Sequence, residues 1–157
     1  MIVPLSLQDP DTVEQVWSLQ HAAYRLEAYA IGLTHLPPLP DTFETLMNSS
    51  ETFFGYVSSE GEILGTIAVE MKIDGVIDIT RLMVHPQHLR QGIGRALLRH
   101  VIEVHPDVKF TVTAGTLNAP AVSLYEQQGF VATGTQIAIP NVELTIYYLD
   151  PLKLSSL

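Results

Sequence analysis

The chain has 157 residues, of which 46% are apolar, and its 8 basic and 17 acidic side chains give a formal net charge of -9. That length is read as one domain spanning 1–157 with a sizeable core, and the composition excludes global disorder. The acidic balance argues against a nucleic-acid or anionic-membrane surface, and the absence of cysteine excludes disulfides, thiolate zinc sites and cysteine nucleophiles.

The opening MIVPLSLQDPD has no basic segment followed by a long apolar one, so no signal peptide is expected. No apolar run approaches the roughly 18 residues of a membrane span, and a cytoplasmic location is the expectation. Residues 2–7 alternate weakly and suit an edge strand, where Pro4 is tolerated. Asp9-Pro10-Asp11 starts a helix whose period runs through Val13, Val16, Trp17, Leu19 and Gln20 to about Ala30, with Gly32 as its stop. The Pro-rich segment 35–40 fits neither a helix nor a central strand. Asp41 is expected to cap a short second helix, with Glu44 as capping-box partner, ending near Asn48.

Strands follow at 52–58, 63–73 and 76–84, with Glu60-Gly61 and Asp74-Gly75 as turns. If Asp74 and Gly75 are the two turn residues, Glu70 pairs with Ile79. Ile67, Val69, Met71, Asp78, Thr80, Leu82 and Val84 then share one face, and Ala68, Glu70, Ile77, Ile79, Arg81 and Met83 the other. A helix over about 91–104 carries Ile93, Ala96, Leu97, Val101 and Val104 on one stripe. Phe110–Thr113 reads as a short buried strand, and Ala119–Gln128 as a helix stopped by Gly129. Phe130–Thr133, Gln136–Ile139 and Leu144–Leu149 read as closing strands. The order is β-α-α-β-β-β-α-β-α, followed by these closing strands.

One stretch stands out. After the strand ending at Val84 comes His85-Pro86-Gln87-His88-Leu89-Arg90-Gln91-Gly92-Ile93-Gly94-Arg95, with two glycines where a helix begins. A helix N-terminus has unpaired N–H groups and about half a positive charge. Glycines let a pyrophosphate approach that backbone, and Arg90 and Arg95 add cations in an otherwise acidic chain. A Rossmann fingerprint does not fit, because Leu97 stands where its third glycine belongs. No G-x-x-x-x-G-K-[S/T] phosphate loop exists.

This stretch resembles the acetyl-CoA motif of the GNAT (GCN5-related N-acetyltransferase) superfamily, roughly V-x-P-x-x-[R/Q]-x-x-G-x-[G/A]. Val84, Pro86, Gly92 and Gly94 match. Leu89 departs from the basic or amide position, and the arginine falls one place later. Independently, Asn118-Ala119-Pro120-Ala121-Val122-Ser123-Leu124-Tyr125-Glu126-Gln127-Gln128-Gly129-Phe130 matches every fixed position of the family's N-x-x-A-x-x-L-Y-x-x-x-G-F segment. The strand order resembles the family's over nearly the whole chain.

The resemblance implies an α/β (α+β) fold. Its central sheet is mixed, mostly antiparallel and of six to seven strands, flanked by about four helices. Strands four and five splay apart, and a bulge in strand four is usual. It implies acetyl-CoA as cosubstrate, held by backbone of Leu82, Met83 and Val84 along the pantetheine arm. Arg90, Gln91, Gly92, Ile93, Gly94 and Arg95 would hold the pyrophosphate, with Asn118, Ala121 and Tyr125 beside the arm. Tyr125 becomes the general acid, since amine attack on a thioester expels a thiolate and a phenol can supply its proton. An N–H from Met83 or Val84 would receive charge developing on the carbonyl oxygen.

A protonated amine needs a base. Asp78 is the candidate on strand four, Thr80 occupying the next same-face position and Glu70 pointing the other way by this register. Tyr24, Glu27, Tyr29 and His35 are expected to line the acceptor pocket. The implied activity is N-acetylation of a small primary amine by direct attack in a ternary complex. A silent acyl-CoA sensor and a peptide or protein N-acetyltransferase are the alternatives. No metal is expected: His85 and His88 have ligand-like spacing, but no carboxylate completes a set. The expected partner is a small molecule, with neither nucleic acid nor membrane, for a monomer or homodimer.

Overall fold

A sheet ordered β1-β2-β3-β4-β5-β7-β6 forms the centre of the chain. The computed structural model describes residues 1–30, 41–138 and 142–151. Among these, β1 (Ile2–Leu5) precedes α1 (Pro10–Ala30) and α2 (Phe43–Met47), and then come β2 (Thr52–Val57), β3 (Ile63–Met71) and β4 (Ile77–Val84). They are followed by α3 (Ile93–Val104), β5 (Phe110–Gly115), α4 (Ala119–Gln127), β6 (Val131–Ala138) and β7 (Val142–Leu149). All neighbouring strands pair antiparallel except β4 with β5, which are parallel. The expected mixed sheet with flanking helices is therefore present.

Two cores cover β3 and β4 from opposite sides. On one, Ile93, Leu97, Leu98 and Val101 of α3 pack on Ile67, Val69, Ile77, Ile79 and Phe110. On the other, Val13, Val16 and Leu19 of α1 meet Leu46, Phe53 and Ala68. The helical stripe of α3 differs from the expected one at its end: Val104 is exposed and Leu98 is fully buried. The Pro-rich segment and Gly32 lie outside the described residues.

Other local expectations are corrected by hydrogen bonding. Thr42, not Asp41, caps α2, exchanging bonds with Thr45 in a capping box. A Thr–Thr pair satisfies those N–H groups, which leaves the Asp41 carboxylate for a longer-range partner. Residues 131–133 and 136–138, from two segments expected as separate strands, lie in a single strand, β6, because Gly134 sits at a shift in the β6–β7 register rather than in a turn; Ile139 lies outside the described residues.

The β3–β4 hairpin also closes differently. Lys72 N donates to Val76 O (2.7 Å), Gly75 N donates to Lys72 O (3.1 Å), and Gly75 has φ +81°. The loop is therefore Ile73-Asp74-Gly75, the wider solution available to an Asp-Gly pair. It moves the register by one residue near the turn, so that Glu70 faces Asp78, not Ile79. A bulge then leaves Thr80 unpaired between Val69↔Ile79 and Ala68↔Arg81, and beyond it the pairing returns to the expected one. Ile77 and Ile79 consequently join Ile67 and Val69 on the α3 side, while Asp78 shares the opposite face with Glu70.

β4 and β5 pair only at Ile77↔Phe110, Asp78↔Thr111 and Ile79↔Val112. From Thr80 onward the two strands splay, as expected. β5 continues along β7 to Gly115↔Leu144, so the opening lies between two strands that are each anchored elsewhere.

Arg81, just past the bulge, fastens the α1 side. Its Nε and Nη2 donate to both Glu51 oxygens (2.9–3.3 Å), and Nη1 donates to Asp41 Oδ2 (2.8 Å) and to Gln20 Oε1. Gln20 Nε2 donates in turn to Asp41 (2.9 Å), Thr80 donates to Glu51, and the guanidinium lies 5.6 Å from the Phe53 ring centre. One cation thus joins α1, the segment before α2, the segment before β2, and β4. Burial alone would raise the pKa of Asp41 and Glu51, but the hydrogen bonds led by those from Arg81 hold both below their ordinary values. Burial alone would lower that of Arg81, and the same carboxylates raise it.

Two outcomes are expected. Arg81→Met strands two part-buried carboxylates and lowers stability by about 2–4 kcal/mol, a Tm loss of roughly 5–15 °C at pH 7 by calorimetry. Because the carboxylate pKa values are depressed on folding, this contribution is full above the ordinary carboxylate range and is lost as pH falls through the folded values. The gap between Arg81→Met and the parent should therefore narrow below about pH 4. In Gly65→Ala, the added Cβ would lie 2.7 Å from Ile93 Cγ2 and 3.1 Å from the Met83 carbonyl oxygen. That overpacking between β3 and the start of α3 should cost about 1–3 kcal/mol, visible as a lower urea midpoint.

Candidate active site

The splay opens two adjoining cavities, of about 480 Å³ and about 270 Å³. Ala23, Leu82, Met83, Asn118, Ala121 and Tyr125 line both, so the cavities meet around these residues. The smaller one is apolar, completed by Leu26, Val84, Leu89, Gly94, Pro120 and Leu124. The larger is more polar than the smaller, and Gln20, Tyr24, Asp41, Glu51, Glu70 and Arg81 stand on its wall.

The smaller cavity gathers most of the residues expected to hold the cosubstrate arm. Beside it the chain after β4 makes a short 3-10 turn at Pro86–His88 and then takes two left-handed residues, Arg90 (φ 63°) and Gly92 (φ 79°). α3 begins with no side-chain cap, and its first helical bond runs from Ala96 N to Gly92 O. The N–H groups of Ile93, Gly94 and Arg95 thus have no acceptor within the helix. Ile93 buries its side chain in the core, so it can offer only backbone. Gly92 and Arg95 also line a third hollow of about 400 Å³ with Arg99, His100 and Glu103. A narrow apolar slot that ends near an uncapped helix start flanked by arginines suits a pantetheine arm with a pyrophosphate. Leu89, the departure from the motif, becomes part of the apolar wall.

Asn118 caps α4, its Oδ1 accepting from Ala121 N at 3.4 Å. This fixes the side chain at the junction of the two cavities. Tyr125, two turns further along α4, is 5% exposed and lies against Phe130 and Tyr147 with ring centres 5.8 and 5.9 Å away. Burial, with the charge of Glu126 adding to it, raises the pKa of Tyr147, which stays a neutral neighbour.

The expected acceptor residues are dispersed. Tyr24 is on the wall of the larger cavity. Tyr29 is 62% exposed and lines neither cavity. The Glu27 side chain and His35 lie outside the described residues. Asp78 accepts from Thr111 Oγ1 at 2.8 Å, has Lys72 Nζ at 3.9 Å, and is absent from the cavity wall. Glu70 stands on that wall instead: it faces the α1 side with Ala68 by the alternation along β3, and the wider hairpin loop turns Asp78 onto the same face without bringing it to the cavity.

Gln20, Asp41, Glu51 and Arg81 are not among the expected site residues, and Glu70 is set aside there as base in favour of Asp78. A signal existed for the cluster: Arg81 sits in a strand apolar on both faces, and a guanidinium there needs acidic partners. Their positions, from 20 to 51, could not be read from the sequence. The histidine pair stays local, His85 Nδ1 accepting from Gln87 N at 3.1 Å. Among the described residues no group of histidines and carboxylates could hold a metal ion, and no helix is long and apolar enough to cross a membrane.

The model of the Acetyltransferase (GNAT) family matches residues 13–130. UPF0157 protein YqkA of Bacillus subtilis (strain 168) is 36% identical over 154 residues, covering 98% of this chain and 44% of that protein. N-acetyltransferase family 8 member 7 of Mus musculus is 28% identical over 127 residues, 76% of this chain and 55% of its own. The chain spans about half the length of these curated relatives. Ribosomal-protein-S18-alanine N-acetyltransferase from Escherichia coli superposes with a TM-score of 0.73 at 19% identity, covering 96% of this chain and 94% of that one. A spermidine N-acetyltransferase from Vibrio cholerae gives 0.74 at 16%, with 98% and 96% covered. Those identities speak for the fold alone. The family model spans both motifs and the splayed strands between which the cavities open, and the chain belongs to the GNAT acetyltransferase family.

Proposed function

We propose that this chain transfers the acetyl group of acetyl-CoA to a primary amine of a small molecule, by direct attack in a ternary complex. The observation that carries the reading is the meeting of the two cavities at Asn118 and Tyr125. An apolar slot for the acyl donor opens onto a more polar chamber for the acceptor, and the expected acid stands where they join. A silent acyl-CoA sensor has no need of the second chamber. Its volume, about 480 Å³, suits a small molecule.

Bound acetyl-CoA supplies the acyl group as a thioester. Backbone along the free edge of β4 at Leu82, Met83 and Val84 aligns the arm, and the N–H groups from Arg90 to Arg95 take the pyrophosphate. An N–H of Met83 or Val84 faces the charge that develops on the carbonyl oxygen. Tyr125 Oη gives its proton to the departing sulfur. Deep burial of its ring fixes the hydroxyl and limits the reorganisation this step requires.

Excess acetyl-CoA at about 100 times its Kd should stabilise the protein by about 2.7 kcal/mol, raising Tm by roughly 5–10 °C, with no shift from NAD or ATP. Coupled release of free CoA with a panel of amines then tests transfer. No shift with acetyl-CoA in folded protein would remove the reading. Tyr125→Phe should lower kcat by about 10²-fold while leaving the acetyl-CoA shift in place. Loss of the shift instead would make Tyr125 a packing residue.

A further inference from the structure

The larger cavity has three carboxylates on its described wall, and their surroundings differ. Asp41 accepts from Arg81, Gln20 and Thr45. Glu51 accepts from Arg81, Thr80 and Ser49. Both are held as ionised acceptors below their ordinary pKa, so neither readily takes a proton. Glu70 is not held by arginine. Its nearest ion-pair contact is Lys72 Nζ at 3.8 Å, with the two side chains 41% and 48% exposed, a loose surface contact.

We propose that Glu70 is the catalytic base, binding the acceptor's ammonium in the larger cavity and taking its proton. This rests on the acetyl-transfer reading and deepens it, since it also sets the acceptor class as amines that arrive protonated. The bulge at Thr80 supports the assignment. Thr80 commits its hydroxyl to Glu51 and Ala68 O, and Asp78 is tied to Thr111. The base is therefore supplied across the ladder from β3. The charged and titratable groups around Glu70 are Lys72 just past the end of β3, Asp78 opposite, Arg81 further along β4, Asp41 and Glu51 beyond it, Tyr24 on α1 and Tyr125 on α4. On the cavity wall three carboxylates face one guanidinium, a net negative field that favours a cation.

The proton balance closes. R–NH3⁺ gives one proton to a Glu70 oxygen, which passes it to solvent. The freed lone pair forms the C–N bond as the C–S bond breaks. Tyr125 protonates the sulfur, and the second proton leaving nitrogen restores the phenol. The products are the amide, CoA thiol and one released proton.

The test compares the parent chain with Glu70→Gln, using the acceptor found in the amine panel, from pH 6.5 to 10. In Glu70→Gln, kcat/KM is expected to fall about 10²-fold at pH 7. The deficit should shrink as pH rises and solvent supplies the neutral amine. Calorimetry without acetyl-CoA should show the ammonium binding about 10-fold more weakly, while the acetyl-CoA thermal shift is unchanged. A deficit that stays constant with pH, or activity within twofold of the parent, overturns the role of Glu70 and leaves acetyl transfer standing. A parent chain that binds acetyl-CoA but releases no CoA with any amine overturns both. Tm of Glu70→Gln within about 2 °C of the parent guards against a folding artefact, given the exposure of the Glu70–Lys72 contact.

Discussion

The bulge at Thr80 is the constraint on which the site depends. β4 pairs with β3 at every residue but Thr80, while it leaves β5 after Ile79, and the extra residue falls at that parting. A bulge bends and twists its strand, so the far half of β4 presents a backbone edge to the opening instead of to a neighbour. The same extra residue places Arg81 on the α1 side, where its carboxylate partners lie. Closing the ladder at Thr80 would remove both the slot and the anchor.

Charge is divided over the site in a way the net value of -9 hides. Arg90, Arg95 and Arg99 gather around the start of α3, where the helix already presents positive partial charge. The larger cavity carries an excess of carboxylates among its described residues. One end suits an anionic pyrophosphate and the other a cationic amine, with the apolar slot between them keeping the two fields apart. The Arg81 cluster also takes two of the carboxylates out of acid–base use, which leaves the chemistry to groups it does not hold.

Local signals were legible where the chain itself satisfies its hydrogen bonds or packs at short range. The period of α1, the Gly92 helix start, Asn118 at the N-terminus of α4 and Gly129 (φ 96°) at its end were all visible as patterns. The hairpin was located correctly, but its turn was not, because Asp74-Gly75 suits a two-residue turn and the wider loop alike. That one-residue difference moved Asp78 onto the face of Glu70 and Arg81. The cap of α2 failed for a related reason: Asp41 and Thr42 are both good caps, and Arg81, 40 residues away, takes the aspartate.

The sequence by itself determined the family, the class of fold and the glycine-bearing, uncapped helix start after β4. Those features are written in glycines, caps and a fixed order of short motifs, each of which acts through neighbours a few residues away. Only the tertiary structure decided what lines the larger cavity. Gln20, Asp41, Glu51, Glu70 and Arg81 come from α1, two loops and two strands, and no spacing along the chain encodes their meeting. Their arrangement follows from a strand register and a bulge, and a one-residue shift in either turns a side chain from one face of the sheet to the other.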